Sequence, residues 1–263
     1  MNTHLIIPDP HAHPEYDNLR FRALGRYILD MRPTHIICLG DFADMPSLSL
    51  YDKGTRGFEG RRYKDDVAAT VDAQNELFAA VTQYNKRRSA NKKALYKPKL
   101  TMIGGNHDEA RIEKATQASP ELDGKLHMED LRYETFGWQY VPFKETIVID
   151  GIAYSHYFPS GLLGAPISGE NIGGSLVRKL HMSCVQGHSH LYNHYEHTRP
   201  DGTKIFGLSA GCYSHKEYDE NWCRNTKHMW WRGIVVLHGT DHWPGYYEKY
   251  EAITQAVLLR DYL

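Results

Sequence analysis

Apolar residues along the chain fall into short runs that stop abruptly in clusters of polar ones. His4–Pro8, His35–Leu39 and Leu100–Ile103 have strand length. Between them, Asn18–Met31 reads as a helix. A longer helix is predicted from about Lys64 to Arg88, where Val67, Val71, Leu77, Phe78 and Val81 recur at helical spacing. Strand, helix, strand, helix, strand is the order of an α/β layout. The second half is strand-rich. Thr146–Ile149 and Ile152–Ser155 flank Asp150-Gly151, a strong hairpin signal. Met182–Gln186 is a further strand, and His194–Thr198 and Thr203–Leu208 flank Pro200-Asp201-Gly202 as a second hairpin. Gly233–His238 and Tyr246–Tyr250 complete the set. Two sheets stacked face to face with helices outside accommodate both halves. No repeat, low-complexity stretch or linker divides residues 1–263, so a single domain is expected.

Composition narrows the function classes. With 41% hydrophobic and 24% charged residues, the chain belongs with soluble globular proteins. A formal net charge of -1 gives no global attraction to nucleic acid or anionic membrane. No apolar run approaches the roughly 20 residues of a membrane span. The opening MNTHLIIPDP lacks the basic and apolar regions of a secretory signal. Cys38, Cys184, Cys212 and Cys223 are widely spaced with no CxxC pair, which disfavours a disulfide framework or structural zinc. A reducing, cytoplasmic location is expected.

The chemistry sits where the strands end. PDPHAHP carries Asp9, His11 and His13; GDFAD carries Asp41 and Asp44; IGGNHD carries Asn106 and His107. Ser155-His156 follows the Asp150-Gly151 hairpin, and GHSH carries His188 and His190. Ligands of α/β sheets bind outside the carboxyl ends of strands, so these ends are expected to converge. Mixed carboxylate and imidazole donors suit divalent manganese, iron, zinc or nickel. Asp9 and His11, like His188 and His190, lie two apart and would point to one side of an extended chain.

D-x-H, G-D-x-x-D, G-N-H-D, a lone His and G-H-x-H, in this order from Asp9 to His190, resemble the calcineurin-like metallophosphoesterases. The resemblance implies a four-layer α/β/β/α sandwich of two mixed sheets and a centre of two divalent ions, with manganese the first choice. One ion would be held by Asp9, His11, Asp41 and His190. The other would be held by Asp41, Asn106, His156 and His188, with Asp41 bridging. His107 would face the substrate as proton donor, oriented by Asp44. The implied reaction is phosphate-ester hydrolysis by in-line attack of a metal-bridging hydroxide.

Within that class a phosphodiesterase is favoured over a phosphomonoesterase, and a nuclease acting on DNA or RNA ends is the alternative. Met45-Pro46 after Asp44, and Asp108 after His107, depart from the protein-phosphatase pattern. A non-catalytic metal-binding scaffold for a protein partner is the rival from another class, but no expected ligand is missing. Oligomeric state has no signature here. Arg56, Arg61 and Arg62, in the loop after GDFAD, are the candidates for binding substrate phosphate. The basic run Lys86–Lys99 reads first as a helix end and solvated loop rather than a nucleic-acid patch. His13 matches no ligand position. His181, His194, His197, His215, His228, His238 and His242 are read as structural or surface residues, with His215 placed to border the site. Trp222, Trp230, Trp231 and Trp243 are read as sheet packing and rim.

Overall fold

A computed structural model describes residues 2–219, 223, 225–239 and 244–263. Trp222, Trp243 and His242 therefore lie outside the described residues. Strands β1 (Thr3–Ile7), β2 (His35–Cys38), β3 (Lys99–Ile103) and β4 (Gln139–Val141) run parallel. Helices α1 (Leu19–Met31), α2 (Tyr63–Ala90) and α3 (Glu109–Ala118) connect them in turn. A second sheet contains the hairpin β5 (Ile147–Ile149) and β6 (Ile152–Ser155). After a two-residue ribbon, β7 (Pro159–Ser160) and β8 (Ala165–Pro166), α4 (Ile172–Leu180) leads to β9 (Cys184–Gln186). β9 is parallel to β6. The hairpin β10 (Tyr192–Thr198) and β11 (Lys204–Ala210) closes this sheet in the order β10-β11-β9-β6-β5. β12 (Gly233–Gly239) joins the first sheet antiparallel to β1, and β13 (Tyr247–Thr254) pairs antiparallel to β12, giving β13-β12-β1-β2-β3-β4; α5 (Gln255–Tyr262) follows. Both sheets are mixed, and the architecture is the expected sandwich.

Why the central runs are apolar throughout follows from the layers. Leu5, Ile7, Ile36 and Cys38 face α1 and α2, while Ile6, Ile37 and Leu39 alternate toward the second sheet and meet Tyr154, Val185 and Leu208. A strand covered on both faces has no polar side. The outer face of the second sheet packs Ala153 and Cys184 under Ile172 and Leu176 of α4.

Three helices escape the sequence pattern, each for a local reason. α3 is largely polar, α5 is short, and α4 contains Gly173 and Gly174, residues of poor helix propensity that tertiary packing overrides. The basic run is the last turn of α2 and the loop after it, with Arg87 and Arg88 at the helix C-terminus. Among the described residues, no helix is long and apolar enough to cross a membrane.

At the amino end of β1 the sheets are tied by polar contacts. The Tyr154 hydroxyl donates to His4 Nδ1 (2.7 Å), and His4 Nε2–H donates to Asp150 Oδ2 (2.9 Å). Asn2 Nδ2 donates to the same oxygen (2.7 Å), and His35 lies edge-on to His4 at 4.9 Å.

Candidate metal centre

At the other end of the sheets, the loops after β1, β2, β3, β6 and β9 meet. Among the described residues twelve non-glycine positions have positive φ, and five of them are expected ligands: Asp9 (37°), His11 (47°), Asp41 (49°), His188 (64°) and His190 (58°). Left-handed backbone costs a side-chain-bearing residue on the order of 1–3 kcal/mol and clusters at functional sites. This corrects the extended-chain reading of the D-x-H and H-x-H pairs. Neither pair is in extended backbone; sharp left-handed turns aim them. Two glycines allow the loops to close. A Cβ on Gly105 would lie 2.1 Å from Asp41 Oδ1, and one on Gly187 would lie 2.3 Å from Asp9 Oδ1.

The donor atoms form two groups. In the first, His11 Nε2 is 3.1 Å from His190 Nε2, which is 3.5 Å from Asp9 Oδ2. In the second, Asn106 Oδ1 is 2.9 Å from His156 Nε2 and 2.8 Å from His188 Nδ1, and those ring nitrogens are 3.2 Å apart. Asp41 lies between them. Its Oδ2 is 3.5 Å from His156 Nε2, its Oδ1 accepts the His107 backbone N–H (2.7 Å), and a carboxylate oxygen is within 4.8 Å of ligand atoms on His11 and His107.

The donor chemistry fits cations. His156 Nδ1–H donates to the Leu39 carbonyl (2.8 Å), so its Nε2 presents a lone pair toward other acceptors. Both Asp9 carboxylate oxygens are buried without a hydrogen bond of regular geometry. Burial and the neighbouring Asp41 charge push the Asp9 pKa well above the usual carboxylate range. Burial opposes ionisation of Asp41 too, but His156, His107 and His11 together hold its pKa below its ordinary value. Burial, then His156, lowers His188 to about 4, and burial with His11 lowers His190 well below the usual imidazole range. Neutral imidazoles and carboxylates converging in a buried space are a metal-ligating set.

Asp44 organises the rest. Its Oδ1 accepts from His11 Nδ1–H (2.8 Å), His107 Nδ1–H (2.9 Å) and the Tyr218 hydroxyl (2.6 Å). Despite complete burial its pKa is held well below the carboxylate norm, chiefly by the bonds from His107 and His11. An ionised acceptor fixes both rings with Nε2 turned away, one toward the first donor group and one free for a ligand. The sequence reading assigned Asp44 to His107 alone; the structure adds His11. Burial and Arg111 lower the His107 pKa, while Asp41 and Asp44 oppose that shift. Asp108 takes no part in the donor groups. It accepts the Gly105 and Glu109 N–H groups, caps α3, and is pushed by burial up to about 7.

Tyr218 and Arg111 were missed, and Trp230 was read as sheet packing and rim. Tyr218 stacks on His11 (4.8 Å), Trp230 stands edge-on to His190 (4.3 Å), and Arg111 Nη1 donates to the Asp44 carbonyl (2.6 Å). All are remote in sequence from the strand-end blocks, apart from Arg111, which lies one helical turn after His107. Of the four tryptophans read as packing and rim, two are described: Trp230 lines the centre and Trp231 packs on Tyr192. His13 is buried with Nε2 3.8 Å from Asp44 Oδ2. His215 stacks on Tyr16, whose ring also contacts His13 and Tyr218.

No family model matches the chain. The Gene 54 protein of Mycobacterium phage L5 is 23% identical over 202 residues, covering 75% of this chain and 73% of that protein. Among solved structures, YfcE, a phosphoesterase from E. coli, aligns over 96% of this chain and 100% of its own, with 14% identity and a TM-score of 0.37. Likenesses of this size leave the chemistry to the residues themselves.

The arginines divide. Arg61 is half-buried and turned inward, its Nη1 donating to Asp52 Oδ2 (2.8 Å) and to the Pro46 carbonyl (3.1 Å). Arg62 donates to the Arg61 carbonyl (2.8 Å), and both Arg56 and Arg62 are exposed.

Proposed function

We propose that this chain is a dinuclear metal-dependent phosphoesterase of the calcineurin-like kind, its 263 residues one catalytic domain. The observation that carries this reading is the Asp41 carboxylate lying between two groups of lone pairs, one buried and one part-buried. Asp9, His11, Asp41 and His190 would hold one divalent ion; Asp41, Asn106, His156 and His188 would hold the other. Manganese heads the expected metals, with iron, zinc or nickel also suited to the donor set. When bound, the ions would supply the positive charge that polarises a phosphoryl group and acidifies a water molecule.

The chain's own part is orientation and proton transfer. Asp44 fixes the His107 ring through Nδ1 and favours its imidazolium form, whose Nε2–H would face the leaving oxygen and give its proton to it, leaving the neutral ring. Such positioned acid catalysis is typically worth about 10²–10⁴ in rate. Arg56 and Arg62, exposed in the loop after Asp44, would meet the substrate's other phosphate oxygens, and Arg61 ties that loop to Asp52. A phosphodiester is favoured over a monoester; cleavage at DNA or RNA ends is the alternative within the same chemistry.

The test is hydrolysis of bis- and mono-nitrophenyl phosphate by chelated and manganese-reloaded protein. Chelation removes activity and manganese restores it. Full activity in protein shown to be metal-free overturns the reading, and a reloaded protein that binds metal but hydrolyses neither ester favours the scaffold alternative.

A further inference from the structure

On the outer face of the second sheet, away from the metal centre, a surface pocket of about 450 Å³ opens between the end of α4 and the β10–β11 hairpin. β10 leaves the centre at Tyr192, and by His197 it has run about 17 Å along the strand. Buried Val177 and Ile205 form the floor. Arg178, His181, Tyr195, His197 and Arg199 form the wall.

The charge there is one-sided. Glu196, between Tyr195 and His197, points to the opposite face, where the Tyr246 and Tyr247 hydroxyls donate to it (2.7 and 3.2 Å). Asp201 is near Arg199 but accepts from Thr203 N and Oγ1 (2.9 and 2.7 Å) within the hairpin turn. No carboxylate is among the lining residues. Arg199 donates to the His181 carbonyl, fixing the hairpin to the helix end, and Arg178 donates one Nη2 bond to Ser175 Oγ (3.2 Å). Arg178 is otherwise exposed, as is Tyr195, a large aromatic with 37% of its surface open.

We propose that this pocket binds a nucleotide unit. The base stacks on Tyr195 over the Val177–Ile205 floor, and the phosphate meets Arg178 and Arg199. A bare anion needs neither the aromatic wall nor the apolar floor. An apolar ligand would leave the Arg178 guanidinium beside it without counter-charge. The volume falls in the roughly 300–1,000 Å³ range of small-molecule sites. Guanidinium on phosphate and tyrosine on base are the sequence-tolerant contacts of nucleotide binding. This site is independent of the metal centre and of the reaction proposed for it.

The test uses full-length protein in excess chelator, so that no hydrolysis intervenes. Adenosine monophosphate, inorganic phosphate and a fluorescein-labelled short oligothymidylate are titrated against wild type, Tyr195→Ala and Arg178→Glu. Because both side chains are exposed, unchanged thermal unfolding checks that the variants fold. The nucleotide is expected to bind more tightly than phosphate, with each substitution weakening it about fivefold or more. Nitrophenyl-ester hydrolysis by reloaded Tyr195→Ala stays at the wild-type rate. Tighter binding of the oligonucleotide than of the mononucleotide, falling steeply with salt, identifies a strand as the source; equal binding identifies free nucleotide. The proposal is overturned if neither binds, if both variants bind as wild type does, or if phosphate binds as tightly as the nucleotide.

Discussion

At the amino end of β1, His4, His35 and Asp150 bring ligand-type atoms within 4.8 Å of one another; beyond its carboxyl end, His11, Asp41 and His107 do the same. Residue type does not separate these clusters, but their hydrogen bonds do. His4 has a donor on one nitrogen and an acceptor opposite the other, and Asp150 is further bonded to Asn2. At the carboxyl end, the lone pair of His156 faces Asn106 and Asp41, and Asp9 is buried with no regular bond at either oxygen. The backbone differs as well. Five left-handed residues expected as ligands stand at one end, whereas Asp150 alone of the other cluster has positive φ, in a hairpin turn. A satisfied polar network stabilises a fold; converging unsatisfied acceptors mark a place for a cation.

Substituting Asp41 tests this contrast most severely. Asp41→Ala is expected to abolish turnover and lower bound metal at both positions, read by elemental analysis. Retention of two ions per chain would refute its bridging place. The His107→Ala variant should keep both ions and lose rate according to the leaving group. A nitrophenyl ester, whose anion departs readily, loses little, while an alkyl or nucleoside ester loses up to about 10²–10⁴ in kcat. Equal losses on the two esters would remove His107 as proton donor.

A smaller effect is expected from Tyr218→Phe, which removes one of three donors to Asp44. Partners one step behind a metal ligand typically matter by about 10–100-fold in affinity or activity, and the lower figure is expected because two donors remain. Metal affinity and kcat are the measurements; wild-type values for both would show Tyr218 to be packing only.

The amino-end cluster should answer to stability alone. His4→Leu leaves the Tyr154 hydroxyl and Asp150 without their partner and should cost about 1–3 kcal/mol near pH 8, with metal content unchanged. Burial lowers the His4 pKa, with Asp150 partly opposing it, so the folded state favours neutral imidazole. The unfolded chain takes up that proton near pH 6.5, so His4's contribution is complete above that pH and is lost as pH falls through its lowered folded value. Urea unfolding from pH 8 to 5 should show a steeper loss in wild type than in His4→Leu, the other buried histidines contributing equally to both. A drop in bound metal in this variant would instead make the amino-end cluster a ligand site.

The order of the strand-end blocks, the alternation of β1 and β2 and the length of α2 were legible in the linear chain, because periodicity and apolar run length act locally. The blocks also named Asp9, His11, Asp41, Asn106, His156, His188 and His190, whose side chains the structure brings near one another. The backbone that aims them was not legible. Left-handed φ at an Asp or His is unfavourable locally and is sustained by packing among five loops, so extended-chain reasoning failed at both paired motifs. Nor could spacing reveal Tyr218 and Trp230, which reach the centre from a late loop across the sheets. The second bond of Asp44, to His11, and the inward turn of Arg61 toward Asp52 likewise depend on distant partners. Sequence determined which groups the protein carries and where each strand releases them. Tertiary structure decided which lone pairs face one another, because that depends on burial and on hydrogen bonds between segments far apart in the chain.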